Sequence, residues 1–319
     1  MTATLPTGRD RRGPTVTLVP NDPEAPAAAR RRRQTRIAWL FALPFVLFFT
    51  VFMLFPIVSS FAMSFTDFTS RDIQTPFAVG FVGFDQYADL FGNPQFRKSL
   101  GVTAYFVVVG IPLTMFVSLG LAVALNSGID RFRTAFRVGF YLPVVTSIVA
   151  IAVVWKFLLQ DNGIINKVLS WVGIDGPNWL QDTTWAMPAM ILMAVWRNMG
   201  TLMIIFLAGL QAIPSEVKEA AAIDGAGAWK RFTRITLPLM RPTLLLGAVL
   251  LSVGYLQFFE EPFVMTKGGP LDSTLSVSYF TYNQFGFGKY GTASAASYVL
   301  FVAIALLSLV QFRALRSKD

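Results

Sequence analysis

Six stretches of this chain stay apolar for the length of a bilayer crossing, and nothing else in the sequence constrains its fold as strongly. A helix rises about 1.5 Å per residue, so about 20 apolar residues are needed to cross the hydrocarbon. The runs are Ile37–Met63, Leu100–Leu125, Ala135–Leu159, Trp185–Leu210, Thr243–Met265 and Thr292–Phe312. Composition agrees: 54% of the 319 residues are hydrophobic and only 14% charged, too few polar groups to cover a soluble globule. Pro44, Pro56, Pro112, Pro143 and Pro188 fall within runs, where proline marks kinks in membrane helices. The two-residue alternation of a membrane β-barrel is missing. The expected fold is an all-α membrane protein with six transmembrane helices.

The chain contains no Cys and no His. That removes disulfides, thiolate nucleophiles, Cys- or His-ligated metals and Ser-His-Asp catalysis, and no metal site is expected. The net charge of +9 raises the question of an anionic partner, and its distribution answers it. With residues 1–36 inside, 19 of the 27 Lys and Arg residues fall on the inner side and 6 on the outer. This asymmetry predicts both termini cytoplasmic. The excess positive charge lies where topology demands it, next to membrane lipid, so nucleic acid is not an expected partner. Residues 1–36, rich in Pro, Ala and Arg, read as a disordered basic cytoplasmic tail, and residues 37–315 as one transmembrane domain. The first run exceeds the apolar core of an export signal, so it reads as a retained helix.

Residues 211–241, QAIPSEVKEAAAIDGAGAWKRFTRITLPLMR, connect the fourth and fifth runs on the cytoplasmic side and are too polar to cross. Ser215 is placed to cap a helix, Ala220, Ala221 and Ala222 favour one, and Gly225 is placed to end it in the left-handed conformation. A second short helix follows over Ala228–Thr236, interrupted by Pro238. Within this loop Glu219-Ala220-Ala221, Gly225, Ile235 and Leu237-Pro238 keep the spacing of the EAA loop. The chain thereby resembles the membrane subunits of binding-protein-dependent ABC importers. Met265–Pro270, MTKGGP, points to the carbohydrate branch, nearer to the larger membrane subunit of the maltose importer than to that subunit's partner.

The resemblance, over about residues 37–315, implies several things. The EAA loop is a coupling helix that docks on a cytoplasmic ATPase, with Glu219 facing a basic residue there, the alanines allowing close approach and Gly225 setting the turn. The partners are a second homologous permease subunit, two copies of the ATPase, and an extracytoplasmic substrate-binding protein, in a bacterial cytoplasmic (inner) membrane. The chain has no Walker A sequence, so ATP and Mg²⁺ belong to the partner ATPases and this subunit is not an enzyme. Distance from the EAA loop places Trp196, Arg197, Asn198 and Thr201, with Tyr255, Gln257 and Phe258, where the maltose-importer subunit lines its sugar path. Arg197 is an expensive residue within a span. It either meets substrate or forms an ion pair with Glu260, Glu261 or a partner charge.

A literal G-x-G-x-x-G occurs at Gly286–Gly291, outside any strand–helix unit, and reads as a turn-rich aromatic loop. Two other classes of function compete with an importer subunit. An ion-coupled secondary transporter would need an intramembrane acid or base relay, and Glu260 and Glu261 lie near a span end. A non-transporting membrane scaffold would leave Arg197 without a purpose.

Overall fold

Backbone amides in hydrocarbon must be paired within their own segment, which commits the apolar runs to helix. A computed structural model of the chain describes residues 24–75, 79–126 and 132–315, and helix dominates it; an isolated bridge pairs Thr66 with Phe81. The chain divides into two units, one ending at Val58 and the other beginning at Ser59.

The first unit holds α1 (Glu24–Phe49), a π-helical stretch over Thr50–Leu54, and the start of α2 (Phe55–Met63). The apolar part, Gln34–Met63, is long enough to cross a bilayer. The helix begins at Glu24, within the stretch 1–36 expected to be a tail. Residues 27–36 are mostly Ala, Arg and Gln, strong helix formers, and Pro26 sits in the first turn, where its missing N–H is harmless. Residues 1–23 of that tail lie outside the described residues. The π stretch ends two residues ahead of Pro56. Proline clashes with the carbonyl four residues back, and a local shift to a longer repeat relieves that contact.

The second unit opens with a 3-10 turn over Ser70–Gln74, α3 (Asp85–Gly92) and α4 (Pro94–Asn126). Next come α5 (Arg133–Val145), α6 (Ile148–Leu158), α7 (Ile164–Trp171) and α8 (Ala186–Gln211). The polar loop forms α9 (Ser215–Ile223), α10 (Ala228–Arg231), a second π stretch over Phe232–Thr236, and α11 (Leu237–Leu239). The chain finishes with α12 (Arg241–Leu256), α13 (Glu260–Met265), α14 (Val277–Gly286) and α15 (Tyr290–Leu315). Helices α4 and α8 form the central pair, with α5 on α8, α12 against α4 and α15, and α6 on α13. Phe96, Phe106, Met190, Met193 and Phe206 fill the core. Small residues permit the close crossings: a Cβ on Gly200 would lie 2.1 Å from the Phe140 carbonyl oxygen.

Among the described residues, five helices are individually long and apolar enough to cross, and the bent pair α5–α6 brings the number to six when it is counted as one broken span. The third run is therefore not one straight span. It turns by 99° between Val145 and Ile148. Pro143 donates no backbone bond, and Thr146 and Ser147 take extended ψ angles of 146° and 128°. The Thr146 hydroxyl donates to the Leu142 carbonyl at 3.1 Å, satisfying a group the break exposes. The fifth span breaks too, over Gln257–Phe259, between α12 and α13.

Candidate functional site

The polar loop folds as a helix, a tight turn and a second helical segment. The expected Ser215 cap does not form: Pro214 occupies the capping position with no side-chain bond, and Ser215 is the first helical residue. The other end closes as expected. Gly225 adopts φ +75°, the Ala226 amide donates to the Ala221 carbonyl at 3.0 Å, and the Gly225 amide to Ala222 at 3.1 Å. These two bonds are the Schellman pattern, and they need a residue at ease with positive φ.

The loop presents Glu219 and Ala220 outward, while Ala221 is buried against the chain itself. Ala221 therefore packs α9 down, and Ala220 and Ala222 are the exposed alanines of the three. Ile223, 87% exposed, and Trp229, 76% exposed, stand on the same loop and were not among the expected coupling residues. Large apolar side chains in a polar loop were the available signal for them. Ile235, Leu237 and Pro238 are half-buried in the π stretch and α11, which link the loop to α12. This π stretch also ends two residues before a proline, Pro238.

Within the membrane, the seven expected pathway residues separate into groups. Tyr255 is 4% exposed, its hydroxyl bonded to Thr114 Oγ1 at 2.7 Å and its ring 4.9 Å from that of Phe106. Phe258 stacks on Phe106 at 4.0 Å. Both are core residues of the fifth span that pack on Phe106 of α4, while Gln257 at the break is exposed. Asn198 Nδ2 donates to the Ala194 carbonyl at 2.8 Å, and its amide also acts on the Tyr255 hydroxyl. Arg197 and Glu261 are electrostatic neighbours, yet Arg197 Nε and Glu261 Oε2 both lie buried without a hydrogen-bond partner. Thr201 is half-buried one turn beyond Arg197.

Trp196 points elsewhere. Its ring lies 5.8 Å from that of Trp155 on α6, at 57°. Both line a cavity of about 780 Å³ between α8 and the two arms of the α5–α6 bend, with Pro143, Thr146, Ile151 and Met199. Its lining is apolar and aromatic apart from Thr146, a surface on which the flat face of a ring can stack. Trp155 was not among the expected pathway residues; the bend of the third run brings it beside Trp196.

The MTKGGP segment closes α13, and the residues that follow it, Leu271 and Asp272, bond to the start of α4. Lys98 Nζ donates to the Leu271 carbonyl, Gln95 Nε2 to Asp272 Oδ2 at 3.2 Å, and Thr274 Oγ1 to the Gly269 carbonyl at 2.8 Å. In the glycine-rich stretch, Gly288 has φ +72° and its carbonyl accepts from the Ser70 amide at 2.8 Å. A Cβ there would meet Ser70 Oγ at 2.4 Å, so this glycine serves packing between loops.

Residues 116–317, which include the whole polar loop, match the family described as binding-protein-dependent transport system inner membrane component. The chain is 36% identical over 286 residues to the lactose transport system permease protein LacF of Rhizobium radiobacter, covering 88% of this chain and 94% of that one. It is 34% identical over 280 residues to the arabinooligosaccharides transport system permease protein AraP of Bacillus subtilis (strain 168), covering 86% and 87%. Among solved structures, a chain of a bacterial ABC transporter that imports the acidic polysaccharide alginate superposes with a TM-score of 0.76 at 25% identity, over 91% of this chain and 98% of that one. A chain of a bacterial alginate ABC transporter solved in complex with an alginate pentasaccharide-bound periplasmic protein superposes with a TM-score of 0.73 at 26% identity, over 90% of this chain and 96% of that one. This chain belongs to the binding-protein-dependent transport system inner membrane component family and is a permease subunit of an ABC importer.

Proposed function

We propose that this subunit carries a saccharide across a bacterial cytoplasmic membrane, with both termini and residues 211–241 on the cytoplasmic side. It pairs with a second, homologous permease subunit. Two copies of a cytoplasmic ATPase, which bind ATP and Mg²⁺, drive the pair, and an extracytoplasmic binding protein delivers the substrate. Closure of the ATPase dimer moves α9, and α9 moves the spans, so that access alternates between the two sides. Glu219, Ala220, Ala221, Gly225, Ile235, Leu237 and Pro238 form the coupling element, and Ile223 and Trp229 add apolar contact. The substrate path runs by Trp196 and Trp155, where an aromatic pair faces a cavity, and by the polar group of Arg197, Asn198 and Thr201. Tyr255 and Phe258 act from behind as its packed wall, and Gln257 stands at the break of the fifth span.

The observation that carries this reading is the outward-facing Glu219 on a short helix closed by a positive-φ glycine at the end of α8. A carboxylate held on a fixed helix suits a charge pair that gives register to a docked partner. The sugar class rests on the lactose and arabinooligosaccharide systems whose permeases this chain resembles. The test is purification of the tagged chain in mild detergent together with an uptake assay. One related membrane subunit and an ATPase should co-purify, and Glu219→Lys should abolish uptake while the two membrane subunits stay assembled. Wild-type uptake by that variant, or uptake indifferent to ATP depletion but abolished by an uncoupler, overturns the assignment.

A further inference from the structure

We propose that α7, Ile164–Trp171, lies along the outer surface of the bilayer and binds lipid at the boundary between headgroups and acyl chains. The outer side follows from the orientation proposed above, because α7 and the coupling loop are separated by the single span α8. The helix has two faces. Ile165 and Leu169 turn toward the protein, and Asn166 on that side bolts the helix in place. Asn166 Nδ2 donates to the Asp161 and Pro177 carbonyls at 3.2 and 3.3 Å, and Trp179 Nε1 donates to Asn166 Oδ1 at 2.7 Å. A Cβ on Gly176 would fall 2.0 Å from Asn166 Oδ1, so the following loop is closed down on the amide.

With that face fixed, the opposite one is fixed too. Ile164, Lys167, Val168 and Trp171 follow the three-and-four spacing of one helical face, and all are exposed, Trp171 at 83%. Facing water, a side chain such as Ile or Trp forgoes about 1.5–3 kcal/mol of burial. The level of the helix identifies what covers it. It begins just after Leu158, the end of α6, and its anchor Trp179 packs edge-on against Trp185 at 5.3 Å, the residue that precedes α8. Two span ends and two tryptophans place α7 in the zone where aromatic belts sit. Lys167 on the same face suits the phosphate of a lipid headgroup, with its stem against the apolar layer. The lipid-covered surface of the spans thus continues onto α7, and the outer end of the bent span is pinned at headgroup level.

The test uses the whole importer complex in nanodiscs of phosphatidylcholine and phosphatidylglycerol, unlabelled or brominated near the top of the acyl chain. The difference in fluorescence between the wild type and Trp171→Phe isolates Trp171. Brominated lipid should remove most of that difference signal, and aqueous iodide should leave it. Quenching by iodide alone would mean a water-facing helix, and protection from both quenchers would mean a protein partner; either overturns the proposal. A nitroxide on Val168→Cys, introduced into a chain with no cysteine of its own, gives a second measure. It should be more accessible to oxygen than to an aqueous nickel complex, and the reverse order also overturns the proposal. Neither result depends on which ATPase or substrate the complex uses, so failure here is separable from failure of the transport reading.

Discussion

The ring of Tyr255 lies directly against the backbone of Gly110: a Cβ on that glycine would sit 2.8 Å from Tyr255 Cε2. The contact is closed by polar groups. Thr114 Oγ1 donates to the Gly110 carbonyl at 2.7 Å, which leaves it to accept from the Tyr255 hydroxyl, also at 2.7 Å. A buried tyrosine thereby has its hydroxyl satisfied inside the α4–α12 interface.

Gly110→Val should lower the thermal unfolding temperature of the purified complex, because overpacking a tight core costs about 1–3 kcal/mol. Tyr255→Phe should cost less, about 1 kcal/mol, since Thr114 keeps its bond to Gly110. Equal melting temperatures for Gly110→Val and the wild type would mean that the two helices do not approach this closely.

Gly225 has φ +75° and open space around the site of a Cβ, so a substitution there is felt through the backbone alone. Gly225→Val should cost about 1–2 kcal/mol locally and disturb the direction of α9. Uptake should be lost while the membrane subunits remain assembled, and Gly225→Asn should retain more uptake because Asn tolerates this conformation. Comparable uptake in the Val and Asn variants would refute a role for the turn in coupling.

Arg197 and Glu261 share a buried region with one atom of each unpartnered, so removing one charge leaves the other exposed to the low dielectric. Arg197→Met should destabilise the complex more than Arg197→Met combined with Glu261→Gln. The coupling read from a double-mutant cycle of melting temperatures should fall at about 0.5–3 kcal/mol. Strict additivity of the two changes would show that the residues do not interact.

In the loop before α3, Asp72 Oδ2 accepts from Thr69 Oγ1 at 2.7 Å and from the Thr69 amide at 2.9 Å. The hydroxyl first, then the amide, hold the carboxyl below its ordinary value of 3.8. A depressed value means the ionised form stabilises the turn at all pH above the ordinary value, and that this contribution is lost as pH falls through the lower, folded one. Hydrogen exchange of the turn should therefore differ between the wild type and Asp72→Asn at neutral pH, and the difference should shrink only well below about pH 4. A difference that vanished already near neutrality would contradict the capping geometry.

The spans were legible in the sequence because hydrocarbon thickness sets a length that any apolar run must meet. The expected Leu100–Leu125, for instance, lies inside the observed Pro94–Asn126. The α9 turn was legible because one glycine must do what no other residue does cheaply. One local expectation failed for a local reason: Pro214 preceded Ser215 and took the capping position.

The residues expected along the pathway were harder to place because adjacent helical positions diverge by about 100° around the axis. Trp196 and Arg197 are neighbours in the chain, yet one meets Trp155 across a cavity and the other lies near Glu261. Spacing along the chain locates a region of α8 without saying which wall each side chain faces. The order of Gln257 and Phe258, one exposed and the next stacked on Phe106, repeats the point at the break in the fifth span.

The sequence by itself determined which segments cross the membrane, which loop folds as a helix–turn–helix element, and the family to which it points. Those depend on burial length, on backbone preference and on spacing within one stretch of chain. Only the tertiary structure decided that the third apolar run bends by 99°, that Ala221 faces inward, and that Tyr255 and Phe258 are buried in the core against Phe106. Each of these is set by what packs alongside from a distant part of the chain, and apolar patterning carries no record of that neighbour.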